Sequence, residues 1–248
     1  MTQRCALITG GTTGLGEAIA RKLHDAGCTV LVTHHAGSAH NADEWLQEQA
    51  KAGYTFKVYD VDVADYDSCQ AMAARIEADG HQVDILVNNA GITRDGTFRK
   101  LRKDKWDAVL RTNLDSMYNV TKFFIDGMTD RGWGRIVNIS SVNGTKGQFG
   151  QTNYSAAKAG IQGFTRALAQ EVARKGVTVN AVSPGYVATA MVEAVDPEIL
   201  EKQIVSQIPM GRLGKPEEVA ALVTFLASED AAYITGANMA INGGMHMC

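Results

Sequence analysis

Proline is scarce, with 4 in 248 residues, and no stretch has the composition of a Pro-rich spacer between domains. Cysteine is equally rare. Cys5, Cys28, Cys69 and Cys248 are all there are. None stands at the spacing of a zinc or redox motif, and a disulfide framework is not expected in a chain of this length. Six histidines include the pair His34-His35, but no HExxH and no Cys/His cluster accompanies them, so no metal site is expected. No run approaches the roughly 18–20 apolar residues of a membrane span. The first apolar run, Cys5–Ile8, stops at Gly10-Gly11, too short for a secretory signal, and a cytoplasmic location is the default. Neither sign of charge dominates: Lys+Arg 24 against Asp+Glu 27 leaves −3. That balance excludes the broadly basic face of a general nucleic-acid binder. With hydrophobic residues at 45% and charged ones at 21%, dominant disorder is excluded too.

Glycine, by contrast, is plentiful at 25 residues, which suits many tight strand–helix turns. Short β-branched runs at Cys5–Thr9, Thr29–Thr33, Thr55–Val61, Ile85–Asn88, Arg135–Ser140, Thr178–Val182 and Asn238–Ile241 read as strands. Several, such as Ile85-Leu86-Val87, are apolar on both faces, as in a parallel sheet covered by helices. Helical spacing occupies Leu15–Ala26, Asp104–Met128, Tyr154–Arg174 and Pro216–Ala227. In the last, Pro216 suits a first turn and Glu217-Glu218 suit its positive end. The alternation predicts one α/β domain over residues 1–248, a doubly wound parallel sheet of about seven strands. The least regular stretch, Tyr186–Pro209, follows the sixth strand and is expected to be a mobile substrate lid.

Strand one runs into Thr9-Gly10-Gly11-Thr12-Thr13-Gly14-Leu15-Gly16 and then a helix. Glycines at 10, 14 and 16 let a ligand approach the backbone, and the N–H groups of the helix start attract an anion. The spacing is Gly-x-x-x-Gly-x-Gly with no Gly-Lys-Ser/Thr, which disfavours an NTP-hydrolysing P-loop. Asp62-Val63 follows strand three, where a carboxylate would meet an adenine amine. Asn88-Asn89-Ala90-Gly91 ends strand four. Either segment alone would equally serve as an Asx turn. Together with the glycine loop they converge on a dinucleotide crevice.

Tyr154 and Lys158 lie i and i+4 on a predicted helix and so share a face. A nearby ammonium is expected to hold a phenol below its ordinary pKa of about 10, toward acid/base use. Tyr118 and Lys122 have the same spacing, but only Tyr154 has a strand-end hydroxyl, Ser141, upstream. Tyr118/Lys122 therefore reads as helix surface or subunit contact.

The Thr9–Gly16 loop, Asn88–Gly91, Asn113, Ser141, Tyr154, Lys158 and Pro184-Gly185 together resemble the short-chain dehydrogenase/reductase family over essentially the whole chain. Asn138–Gly144, Lys146–Tyr154, Asp126–Arg135 and Asn242–Gly244 more narrowly resemble bacterial acetoacetyl-CoA reductases of polyhydroxybutyrate synthesis. The resemblance implies a Rossmann-like fold and a homotetramer. It also implies reduction of acetoacetyl-CoA to (R)-3-hydroxybutyryl-CoA. Tyr154 would protonate the ketone oxygen, Ser141 would hydrogen-bond it, Lys158 would tune the phenol and hold the nicotinamide ribose, and Asn113 would support a water relay to Lys158. For the cofactor it implies Gly10, Thr12, Thr13, Gly14, Leu15 and Gly16, then Asp62, Val63, Asn89, Ala90 and Gly91, and last Pro184, Gly185, Val187 and Thr189, with Tyr154 and Lys158. For the substrate it implies Asp95, Lys100, Ser141, Gln148, Phe149, Gln151 and Tyr186. The amides would orient the thioester and the aromatic rings limit chain length, although Gln148 and Phe149 would also serve simply to pack against Tyr186.

Two features bear on specificity. Arg94–Lys105 carries six cations against two acids, either a lip that steers an anionic carrier or a solvated helix face. Strand two ends Val32-Thr33-His34-His35, with neither the acid that favours NADH nor the Arg that favours NADPH. His34, His35, His40 and Asn41 are the groups there that would meet a phosphate. The resemblance favours NADPH slightly and leaves NADH open. The competing readings are a 3-oxoacyl-[acyl-carrier-protein] reductase and, from a different class, a dinucleotide-binding sensor or scaffold without turnover.

Overall fold

The structure is a computed structural model, and it describes residues 3–38, 41–189, 192, 198 and 200–247. His40 and Cys248 lie outside these residues, as does part of the 186–209 segment. The described part of that segment includes a π-helical turn at Leu200–Ile204 and a 3-10 turn at Val205–Gln207.

Seven parallel strands form one sheet. They are β1 (Cys5–Ile8), β2 (Thr29–His34), β3 (Phe56–Asp60), β4 (Ile85–Asn88), β5 (Gly134–Ile139), β6 (Val177–Pro184) and β7 (Asn238–Ile241), in the order β3-β2-β1-β4-β5-β6-β7. Every pairing in it is parallel, as expected for strands apolar on both faces. The period of two along β1 shows why both faces are apolar. Ala6 and Ile8 enter one core layer with Val32, Val87 and Val137. Cys5 and Leu7 enter the other with Leu31, Leu86 and Ile136.

Helices α1 (Gly14–Asp25) and α2 (Ala42–Lys51) lie over the first layer, joined by α9 (Pro216–Leu226) from the end of the chain. Ile19, Ala20 and Leu23 of α1 are buried there, the i, i+4 face that the sequence spacing implies. Helices α3 (Tyr66–Ala78) and α8 (Thr152–Val172) cover the second layer. Neither α2 nor α3 follows from apolar spacing. Their starts carry a clear signal instead. The side chain of Asn41 accepts from the Asp43 and Glu44 N–H groups, and that of Asp65 from the Ser68 N–H.

The expected long helix Asp104–Met128 is interrupted. It comprises α4 (Lys103–Leu110), a π-helical turn at Arg111–Asp115, α5 (Ser116–Thr121) and, after a break at Lys122–Phe124, α6 (Ile125–Asp130). The short helix α7 (Asn143–Lys146) sits against α8. A Cβ on Gly144 would lie 2.8 Å from the Lys158 carbonyl carbon, so glycine sets that close approach. Pro216 opens α9 as expected, and the Glu218 carboxylate accepts from the Lys215 N–H at 2.7 Å.

β1 has β2 on one side and β4 on the other, so the strand order reverses at β1. A sheet of this kind opens a crevice at the C-terminal ends of its strands at such a reversal.

Candidate functional site

The loop after β1 is tied to both neighbouring strands. The Gly10 N–H donates to Thr33 Oγ1 at 3.0 Å and the Gly11 N–H to the Thr33 carbonyl. Thr9 Oγ1 accepts from the Asn89 and Ala90 N–H groups at 2.9 and 3.0 Å. The Asn89 amide donates back to the Thr9 and Gly10 carbonyls. Thr33 and Thr9 carry these ties, and the strand pattern alone does not single them out.

Gly10 adopts φ +62, and a Cβ on Gly16 would stand 2.1 Å from the Gly10 carbonyl oxygen. Only glycine permits that approach of helix to loop. Thr13 occupies the α1 N-cap position, and its side chain makes no capping bond. The first N–H groups of a twelve-residue helix thus face the crevice without a side-chain cap, the arrangement that holds a pyrophosphate. The donor set fits a dinucleotide. Gly16→Ala is therefore expected to weaken dinucleotide binding at least about tenfold and to cost roughly 1–3 kcal/mol of stability by overpacking. Calorimetric titration and thermal melting check both effects.

The crevice is a groove of about 860 Å³. Gly10, Thr12, Thr13, Gly14, Leu15 and Gly16 line it. So do His34 and His35 from the end of β2, Asp62 and Val63 from the end of β3, and Asn89, Ala90 and Gly91 from the end of β4. Thr189 closes it from the other side. Asp62 Oδ1 accepts from the Ala64 N–H at 2.9 Å, so the Asx-turn reading holds for this residue as well.

A second pocket of about 270 Å³ is continuous with the groove and shares Leu15, Asn89, Gly91, Ile92 and Thr189 with it. It holds Ser141, Tyr154 and Lys158 together. Pro184, Gly185, Tyr186, Val187 and Gln151 complete its wall. Ser141 follows β5, while Tyr154 and Lys158 project from the first turns of α8. Ser141 Oγ accepts from the Asn143 N–H at 3.1 Å. Its hydroxyl stands within reach of the Tyr154 phenol. The Lys158 ammonium lies 5.6 Å from the Tyr154 ring centroid and donates to the Ile139 carbonyl at 2.7 Å.

The electrostatics correct one expectation. The phenol is not held low by Lys158. Burial pushes it above its ordinary value, with the Asp95 and Tyr186 charges adding to the effect, and the Ser141 hydrogen bond works in the opposite direction. Lys158 is itself only 4% exposed, and burial pulls its ammonium down to about 8. Phenol and amine are thus both driven toward their neutral forms.

Asn113 is fully buried in the π-helical turn. Its amide clamps the Ile92 backbone, accepting from the N–H at 2.8 Å and donating to the carbonyl at 2.9 Å. Gly91 marks where it meets Lys158: a Cβ there would lie 3.3 Å from Asn113 Oδ1 and 3.7 Å from Lys158 Nζ. The π turn lets the buried amide face the strand end, a feature helical spacing did not reveal.

The expected substrate residues divide. Gln151 reaches the pocket with its amide fixed at both ends: Oε1 accepts from Asn143 at 3.0 Å, and Nε2 donates to Asp95 at 2.8 Å. Asn143, two residues after Ser141, had been given no role. Asp95 lies behind Gln151 and not on the pocket wall. Gln148 accepts from Lys146 at 2.9 Å, outside the pocket. Phe149 is 87% exposed and neither caps the pocket nor packs against Tyr186. An exposed 3-10 turn, Phe98–Lys100, carries Lys100 away from both cavities. In the basic segment, Arg102 pairs with Asp104 and Lys103 with Asp107. Tyr118 is exposed and stacks on Tyr66, consistent with helix surface.

Among the described residues, no group of three or more His, Cys, Asp or Glu could hold a metal ion, and no helix is long and apolar enough to cross a membrane.

The family model described as Enoyl-(Acyl carrier protein) reductase matches residues 10–246. An acetoacetyl-CoA reductase of Cupriavidus necator is 55% identical over 100% of both chains. Nodulation protein G of Azospirillum brasilense is 54% identical over 99% of both. An acetoacetyl-CoA reductase of Allochromatium vinosum is 51% identical over 98% of this chain and 99% of its own. With a glycine loop at the sheet's reversal point, Ser141, Tyr154 and Lys158 in one adjoining pocket, and these matches along its length, the chain belongs to the short-chain dehydrogenase/reductase family.

Proposed function

We propose that this chain reduces acetoacetyl-CoA to (R)-3-hydroxybutyryl-CoA with a nicotinamide dinucleotide. The observation that carries the reading is the meeting of Ser141, Tyr154 and Lys158 in a pocket that opens into the groove. Support for the substrate comes from the full-length identity to the acetoacetyl-CoA reductases, and the hand of the product rests on the family resemblance. A cytoplasmic homotetramer supplying polyhydroxybutyrate synthesis belongs to the same proposal. Phe124 and Ile161 are buried core residues and give a tetramer no exposed apolar face.

When bound, the dinucleotide supplies the hydride. The uncapped α1 N-terminus would hold its pyrophosphate, and Lys158 its nicotinamide ribose. The chain's own part is to stabilise charge developing on the ketone oxygen. Ser141 donates a hydrogen bond to that oxygen, and the Tyr154 O–H gives up its proton to it. A phenol pushed up by burial remains protonated at neutral pH, the form a reducing acid needs. The Gln151 amide, polarised by Asp95, would present its second N–H to the thioester carbonyl. Asn113 is a positioning residue that holds Ile92 against the pocket.

The test is carrier choice. Acetoacetyl-CoA is expected to be reduced with kcat/KM at least about tenfold above that of the acetoacetyl-acyl carrier protein, a transition-state difference of about 1.4 kcal/mol. The opposite order would assign the chain to fatty-acid elongation. No turnover of either, with dinucleotide bound, would favour the sensor reading.

A further inference from the structure

From Lys22 to Lys51 the chain has no intervening lysine or arginine. This stretch supplies β2 and the loop after it, which close one end of the groove with Thr33, His34, His35, Gly37 and Ser38. When a pyrophosphate lies over the α1 N-terminus, the end of β2 meets the adenosine ribose, and its residues distinguish a 2′-hydroxyl from a 2′-phosphate.

Among the described residues, that end carries carboxylates and imidazoles but no lysine or arginine. His34 stands opposite Asp60 in the β2–β3 register, with Nδ1 3.2 Å from Asp60 Oδ1. His35 Nδ1 accepts from the Gly37 N–H at 3.0 Å, which ties the ring to the loop backbone. Asp62 lines the groove one residue past Val61. The α2 start is capped by Asn41, and Asp43 and Glu44 occupy its first turn, so its dipole is already offset by carboxylates. Among the described residues, the cations lining the groove are Arg94, beyond β4, and Arg111, in the π turn. Arg75 donates to the Asp60 carbonyl and does not line the groove.

A 2′-phosphate would bring close to two negative charges to this end. It would lie beside Asp62, with the Asp60 carboxylate behind His34 and no guanidinium to form the bidentate bonds that offset the cost. A neutral 2′-hydroxyl needs only one acceptor and one donor, which a carboxylate and an imidazole N–H provide. We propose that this end of the groove selects the 2′-hydroxyl, so that the chain takes NADH in preference to NADPH, with Asp60, paired to His34, as a specificity-determining residue. The inference rests on the reading that the groove binds a nicotinamide dinucleotide, and it reverses the NADPH expectation that the resemblance gives.

Calorimetric titration of the full chain with NADH, NADPH, ADP and 2′,5′-ADP at one ionic strength tests it, because phosphate contacts are salt-dependent. NADH and ADP are expected to bind at least about tenfold tighter than their 2′-phosphorylated counterparts. Asp60→Asn should narrow that gap at least about threefold, and Ser38→Arg should reverse it by restoring a guanidinium. NADPH binding as tightly as NADH in the wild type would overturn the inference and leave the reductase reading standing. An unchanged ratio in Asp60→Asn would overturn the role given to Asp60. Absence of binding by all four would overturn the dinucleotide reading, and this inference with it.

Discussion

Tyr154→Phe is expected to lower kcat for ketone reduction by about a thousandfold while leaving dinucleotide affinity within about twofold. The substitution removes one oxygen and keeps the ring, so the pocket wall formed with Gln151 and Tyr186 is preserved. Ser141 loses its phenol partner but keeps the Asn143 N–H, so the hydroxyl stays in place to hydrogen-bond a substrate oxygen. Residual turnover would then measure what Ser141 and the bound dinucleotide achieve without a proton donor. The direction of the phenol's displacement sharpens this expectation. Burial holds Tyr154 protonated through neutral pH, so the wild-type reduction rate should be flat there and fall only on the alkaline side, where the acid form is lost. Steady-state kinetics across pH, with dinucleotide binding measured separately, checks both points. Turnover of the Phe variant within tenfold of wild type would remove Tyr154 from the chemistry.

The parts of this site that were legible in the sequence are those where one residue type has one physical use. Gly16 is such a case, since a side chain there collides with the Gly10 carbonyl. The strands were legible because a sheet covered on both faces needs apolar runs with little polar alternation, and β1 and β4 supply them. What escaped depends on register and on backbone irregularity. The π turn at Arg111–Asp115 that carries Asn113 interrupts the regular helix that the spacing of Asp104–Met128 implies. Asn143 joins the site because α7 packs against Lys158, a tertiary contact with no local sign except Gly144. Phe149 and Lys100 were expected at the substrate by likeness, yet each sits in a turn that points it to solvent. The phenol's displacement was misjudged for a related reason. Spacing reveals that a lysine lies nearby, but not that both groups are buried, and here desolvation sets the direction for each.

Lys158→Met is expected to raise stability near pH 7 by about 1–2 kcal/mol while abolishing most reductase turnover. The Lys158 amine is pulled from 10.5 to about 8 by burial alone, with no carboxylate among the causes. A folded-state value below the unfolded one means that the folded chain binds this proton less tightly. Below about pH 8 the amine is charged in both states, and its burial costs roughly 3 kcal/mol. Between about 8 and 10.5 the unfolded chain holds more protons, so wild-type stability rises with pH, and above that range the cost has gone. Methionine fills a similar volume without the charge, but it leaves the Ile139 carbonyl without its donor, which takes back about 1–2 kcal/mol. For a chain of this length the net gain corresponds to a rise in Tm of about 2–8 °C. The advantage of the Met variant should shrink as pH rises from 7 toward 10, because only the wild type sheds its penalty. Melting curves at several pH values, beside a turnover assay, test the prediction. A Met variant that melts below wild type at pH 7, or whose advantage does not shrink with pH, would show that the buried amine costs the fold nothing. A stabilised, inactive variant would show the opposite: the fold bears an unfavourable buried cation because the chemistry at Tyr154 and the nicotinamide ribose requires it.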